Sequence, residues 1–136
     1  MVATDRDISW TTSGDNRFFQ SNWQPVGTGV DISQHQTLDF RISRVGDTLN
    51  PTNSTNFSIQ LVMANGSLSD PVELCKYTDL RGPVGGPGGL HPILQTVRIP
   101  LADFTNTNLS QVRSVRFTFN KTQTGRIYVA SIRLLK

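Results

Sequence analysis

Enzymes that hydrolyse glycosidic bonds usually set two carboxylates against each other across a cleft. In this chain Glu73 is the only glutamate. The aspartates (Asp5, Asp7, Asp15, Asp31, Asp39, Asp47, Asp70, Asp79 and Asp103) fall mainly at expected turns and strand ends, where Asp has a local conformational reason to stand. His35 and His91 have no serine or cysteine nucleophile motif beside them. No HExxH, phosphate-loop or dinucleotide fingerprint occurs. The one cysteine, Cys75, excludes an intramolecular disulfide and a cysteine-based zinc site. Its place in the apolar run Val72-Glu73-Leu74-Cys75 predicts a small buried hydrophobe. These observations predict a chain with no catalytic residues, no metal ligands and no cofactor.

Binding chemistry is better supplied. Sugar recognition sets an aromatic ring against the apolar face of a pyranose and flanks it with polar groups that reach hydroxyls. Candidate rings are Trp10, Trp23, Tyr77 and Tyr128. Trp10 and Trp23 have apolar neighbours, so core packing is the favoured role for both. Arg41, Gln60, Arg98, Arg116 and Arg133 occupy outward positions of expected strands and suit hydroxyls if several share one sheet; a merely solvated face is the competing reading. The glycine-rich stretch from Arg81 to Pro92 contains His91 and is the longest expected loop. Such loops at the end of a sandwich either carry function or simply cross between sheets. The residues taken as ligand-binding candidates are therefore Trp23, Arg41, Gln60, Tyr77, Arg81, His91 and Arg116.

The elements that must position these residues follow a period of two. Leu38, Phe40 and Ile42 alternate with Thr37, Asp39 and Arg41; Phe57, Ile59, Leu61 and Met63 with Ser58, Gln60 and Val62; Val115, Phe117 and Phe119 with Arg116, Thr118 and Asn120. One apolar and one polar face mark half-buried antiparallel strands. Gly14-Asp15-Asn16, Gly27-Thr28-Gly29, Gly46-Asp47, Asn65-Gly66-Ser67 and Thr124-Gly125 punctuate the runs. The pattern predicts eight strands near 7–12, 17–24, 36–44, 56–64, 71–77, 92–99, 112–120 and 125–135. It also predicts a short helical turn after Pro100. Strands and turns at this spacing predict an all-β antiparallel sandwich or jelly roll.

The 136 residues suit one domain, 1–136, which buries roughly 68% of the surface its unfolded chain exposes. Charged residues make up 17%, below the usual share of about 25%. Ten of the thirteen basic residues are arginines, scattered with no basic-aromatic run, which predicts no nucleic-acid partner despite a net charge of +3. No segment is apolar enough for a membrane helix. The start, Met1-Val2-Ala3-Thr4, reads as a domain excised from a larger protein.

Several stretches resemble the carbohydrate-binding modules and related galactose-binding-like jelly rolls of secreted bacterial hydrolases. They are Val30-Asp31-Ile32-Ser33 leading into Thr37–Ile42, the run from Leu94 to Phe104, and the closing pair from Val112 to Phe119 and Gly125 to Leu134. The resemblance covers about four fifths of the chain and is carried by the order of these stretches. It implies a jelly roll with a non-catalytic, extracellular targeting role, bound to a polysaccharide or oligosaccharide and linked to a catalytic domain of the same chain. Relatives often hold a structural calcium between carboxylates on the first and last strands. Asp7 is the first-strand candidate here, but Ala130 stands where many relatives have Asp. The competing expectation is a structural or protein-interaction sandwich docked on a catalytic partner, which would carry a contiguous apolar patch.

Overall fold

The computed structural model describes residues 5–44, 54–80 and 94–136. Among these described residues run eight strands: β1 (Arg6–Trp10), β2 (Phe18–Asn22), β3 (Thr37–Arg44), β4 (Ser58–Met63), β5 (Val72–Glu73), β6 (Gln95–Pro100), β7 (Val112–Thr118) and β8 (Gly125–Leu135). Two four-stranded antiparallel sheets pair them in the orders β1-β8-β3-β6 and β2-β7-β4-β5. The predicted all-β sandwich of eight strands is thus the architecture found.

The alternation sends one apolar row per strand into the space between sheets. Leu38, Phe40 and Ile42 of β3 face Ile59 and Leu61 of β4 and Val115 and Phe117 of β7, all fully buried. Phe117 is the hub: its ring centroid lies 4.9 Å from Phe40 and 5.2 Å from Phe57. Trp10 takes the core role favoured for it. It stacks on Phe119 at 4.2 Å, and its indole N–H donates to the Thr122 carbonyl at 2.9 Å. A side chain at Gly125 would meet that indole at 2.5 Å, so the opening residue of β8 must be glycine for Trp10 to pack there.

In β8 the inward residues are Ile127 and Val129, then Ile132 and Leu134, a change of parity that a regular strand cannot make. A bulge accommodates it. Ser131 adopts φ 55°, and the register with β3 shifts between Asp39 and Arg41.

The fifth strand is shorter than the predicted 71–77. After Glu73 the backbone leaves the ladder: the Leu74 N–H donates to Phe57 O, and the Cys75 N–H donates to Asn56 Oδ1. A 3-10 turn over Leu74–Lys76 results, which buries Leu74 and turns Cys75 to solvent. The expectation of a buried Cys75 is therefore corrected; the apolar run ends one residue earlier, at Leu74. The turn predicted after Pro100 is present as a 3-10 turn, Leu101–Asp103. The glycine-rich stretch, with the candidates Arg81 and His91, lies outside the described residues.

Candidate functional site

The outer face of the β2-β7-β4-β5 sheet brings two of the expected residues together. Gln20, Arg116 and Gln60 stand side by side, because β2 and β4 both pair with β7 in that register. The adjacent rows hold Phe18, Thr118 and Ser58 on one side and Asn22, Ser114 and Val62 on the other.

Arg116 is held on two sides. Its Cζ lies 4.0 Å from the centroid of the Phe18 ring, a cation-π contact. Its Nε donates to Gln20 Oε1 at 3.0 Å. Partial burial pulls the guanidinium below its ordinary pKa, though arginine remains charged. The terminal nitrogens make no hydrogen bond with another described residue, so a fixed fork of donors is left over for a ligand. The support continues behind it. Gln20 Nε2 donates to Asn22 Oδ1 at 2.7 Å, and Ser114 Oγ donates to the same oxygen at 2.7 Å. Gln60 is anchored through Nε2 to the Ser69 carbonyl at 2.9 Å.

Beside this row is a hollow of about 320 Å³ lined by Asp15, Gln60, Leu68, Pro71, Arg116, Thr118 and Asn120. Asn120 Nδ2 donates to Asp15 Oδ1 at 3.0 Å, and its Oδ1 accepts from Ser58 Oγ at 2.8 Å. Thr118 is 4% exposed, and its hydroxyl has no hydrogen-bond partner among the described residues. Buried hydroxyls are normally satisfied, so an unpaired one at the floor of a polar hollow points to a missing partner. Phe18, 45% exposed, is one of two large apolar side chains so open among the described residues.

The other expected residues lie elsewhere. Arg41 is on β3, on the outer face of the opposite sheet, together with Arg98 and Arg133. Trp23 follows the end of β2, half-buried against the core, with its indole N–H unpaired among the described residues. Tyr77 caps the 3-10 turn after β5, and its hydroxyl donates to Asp103 Oδ2 at 2.6 Å. Burial and that carboxylate push the Tyr77 phenol well above the ordinary tyrosine value. Phe18 and Gln20 were missed by sequence reasoning. Their signal was the parity of β2: Phe18 shares a face with the polar Gln20 and Asn22, so Phe19 alone is the core residue of that pair.

The expected calcium finds no ligand set among the described residues. Asp7 Oδ1 and Oδ2 accept from Arg126 Nε and Nη2 at 3.0 and 2.7 Å, so the carboxylate is committed to a guanidinium. Ala130 offers no side-chain oxygen, and calcium takes six to eight oxygen ligands. Among the described residues no three His, Cys, Asp or Glu side chains gather into a metal-binding group.

No protein-family model and no curated protein matches the chain. Solved structures do. The chain is similar to a family 30 carbohydrate-binding module of a cellulosomal cellulase of Clostridium thermocellum, at 16% identity and a TM-score of 0.67 over 96% of this chain and 73% of that one. It is also similar to a family 11 carbohydrate-binding module from Clostridium thermocellum in complex with a β-1,3-1,4-mixed-linked tetrasaccharide, at 17% identity and a TM-score of 0.59 over 98% of this chain and 82% of that one. At these identities the likeness is one of architecture: the chain has the β-sandwich fold of carbohydrate-binding modules.

Proposed function

We propose that the chain is a non-catalytic carbohydrate-binding module that holds a polysaccharide or oligosaccharide on the outer face of the β2-β7-β4-β5 sheet. The observation that carries this reading is Arg116. It is clamped between the Phe18 ring and Gln20, with its terminal donors uncommitted beside a hollow floored by the unpartnered Thr118 hydroxyl. Sugar hydroxyls both donate and accept, so one saccharide ring satisfies Arg116, Thr118 and the Asp15 carboxylate together. The shared fold supports the reading, and so does the tetrasaccharide bound by the family 11 module. A sandwich permanently docked on a catalytic partner would carry a contiguous apolar patch. Among the described residues only Phe18 and Val26 are large, apolar and exposed.

In this role the module acts from outside the cell as part of a secreted polysaccharide-degrading protein. It raises the local concentration of a tethered catalytic domain on its substrate without doing chemistry itself. Affinity electrophoresis through gels containing a panel of neutral plant polysaccharides tests this. Retardation by at least one polysaccharide is expected, with loss of retardation in Phe18→Ala and unchanged far-ultraviolet circular dichroism. Equal mobility of wild type and variant in every gel would refute it.

A further inference from the structure

A larger hollow, about 510 Å³, lies at one end of the sandwich, between the turn after β4 and the loop before β7. That volume falls within the range of small-molecule sites. Met63 and Ala64 form an apolar floor, and every side chain lining the hollow is uncharged. Four carboxamides surround it: Asn65, Asn106, Asn108 and Gln111.

The walls are tied together. The Ala64 N–H donates to Gln111 O at 2.8 Å, and the Asp70 N–H donates to Thr105 O at 3.0 Å. Thr105 Oγ1 donates to Asp70 Oδ2 at 2.9 Å, and Thr107 Oγ1 donates to Met63 Sδ at 3.1 Å. The amide orientations are also constrained. Asn65 Oδ1 accepts both the N–H and the hydroxyl of Ser67, at 2.9 and 2.7 Å. Asn108 Oδ1 accepts both from Ser110, at 3.1 and 2.6 Å. Each carboxamide oxygen is committed, while each NH2 group makes no hydrogen bond with another described residue. The side-chain amides of Asn106 and Gln111 are likewise uncommitted, leaving both donors and acceptors.

We propose that this end hollow is a second binding site, for a neutral saccharide unit. Uncommitted amides over a small apolar floor match a ring that presents hydroxyls at its rim and C–H groups on its face. With no charged group in the lining, nothing compensates the desolvation of an ionic ligand, so uronates and phosphates are disfavoured. The stitched walls lower the ordering cost of binding. Met63 and Gln60 are three residues apart on β4, so the end hollow and the sheet-face hollow lie about 10 Å apart along the strand. They differ in chemistry, since the sheet face carries Arg116 and Asp15.

Side-chain NH2 signals in proton–nitrogen correlation spectra test the proposal directly. The 15N-labelled domain is titrated with cellobiose, xylobiose and mannobiose, with digalacturonate as the charged control. Saturable shifts at Asn65, Asn106, Asn108 and Gln111 are expected with at least one neutral disaccharide, and not with digalacturonate. In Arg116→Ala these shifts persist. In the double variant Asn106→Gly, Gln111→Ala, affinity read at Asn65 and Asn108 falls at least about tenfold. Glycine suits position 106, where φ is 56°, so the loop keeps its shape. End amides silent to all three neutral sugars overturn the second site, whether or not Gln20 and Gln60 respond; their response reports the sheet-face reading separately. Shifts that vanish in Arg116→Ala, or that digalacturonate reproduces, also overturn it.

Discussion

The two outer faces of the sandwich are built on the same backbone pattern and use their polar groups differently. On the β1-β8-β3-β6 sheet each acid has an internal partner, although Asp39 Oδ1 stays buried without one among the described residues. Asp39 Oδ2 accepts from Arg98 Nε and Nη2 at 3.0 and 2.9 Å, Asp7 is chelated by Arg126, and Asp5 accepts from the Tyr128 hydroxyl at 2.9 Å. On the β2-β7-β4-β5 sheet, amides and hydroxyls brace one arginine against one exposed ring and leave its fork and a floor hydroxyl unmatched. Arginine count does not select the proposed binding face, and neither does one unmatched atom, since Asp39 Oδ1 is unpaired too; a braced donor beside a concavity does. The first face has more arginines, yet the second offers that combination.

Removing the core that both faces share produces the largest effect. Phe117→Ala should destabilise the domain by about 3–5 kcal/mol, because the ring contacts Phe40 of one sheet and Phe57 of the other. Urea unfolding checks this, and both faces should fail together. Arg116→Ala should separate the faces. Saccharide affinity should fall at least about tenfold with a nearly unchanged melting temperature, and Arg116→Lys should recover little because a lysine lacks the planar fork.

Tyr77→Phe probes a residue on neither face. It should cost about 1 kcal/mol at neutral pH through loss of the hydrogen bond to Asp103, with glycan binding intact. The Tyr77 phenol is raised, so the stability it contributes is fully present below the ordinary tyrosine value near 10 and is lost as pH rises beyond it. Alkaline denaturation of wild type against Tyr77→Phe should show the two stabilities converging above that pH. The smallest effect belongs to the exposed pair Asp7–Arg126. Asp7→Asn should change stability by less than about 1 kcal/mol, and by less still in high salt.

Local signals made much of this legible. The apolar pattern and its turn signals located seven of the eight strands to within about three residues, because one buried face forces period two; the fifth, expected over 71–77, ends at Glu73. The β8 bulge was also written in the chain, in the step from Val129 to Ile132, although a count of alternating residues passes over it. Gln60 and Arg116 were readable as outward residues, but their meeting was not. Side-by-side placement of β2, β7 and β4 is a non-local pairing that no single strand encodes. For the same reason Arg41, with the same parity and chemistry as Arg116, gave no sign that it would face away on the other sheet. Tyr77 and Cys75 were misplaced by a local event, the capture of the Cys75 N–H by Asn56, which ends β5 after two residues.

The claim that the β2-β7-β4-β5 face binds glycan is tested most directly by isothermal titration calorimetry. Wild type, Arg116→Ala and the opposite-face pair Arg41→Ala, Arg133→Ala are titrated with the polysaccharide that retards the domain most. The account predicts heat and affinity unchanged in the opposite-face variant and largely abolished in Arg116→Ala. Binding that survives the loss of Arg116 and disappears with Arg41 and Arg133 would contradict it.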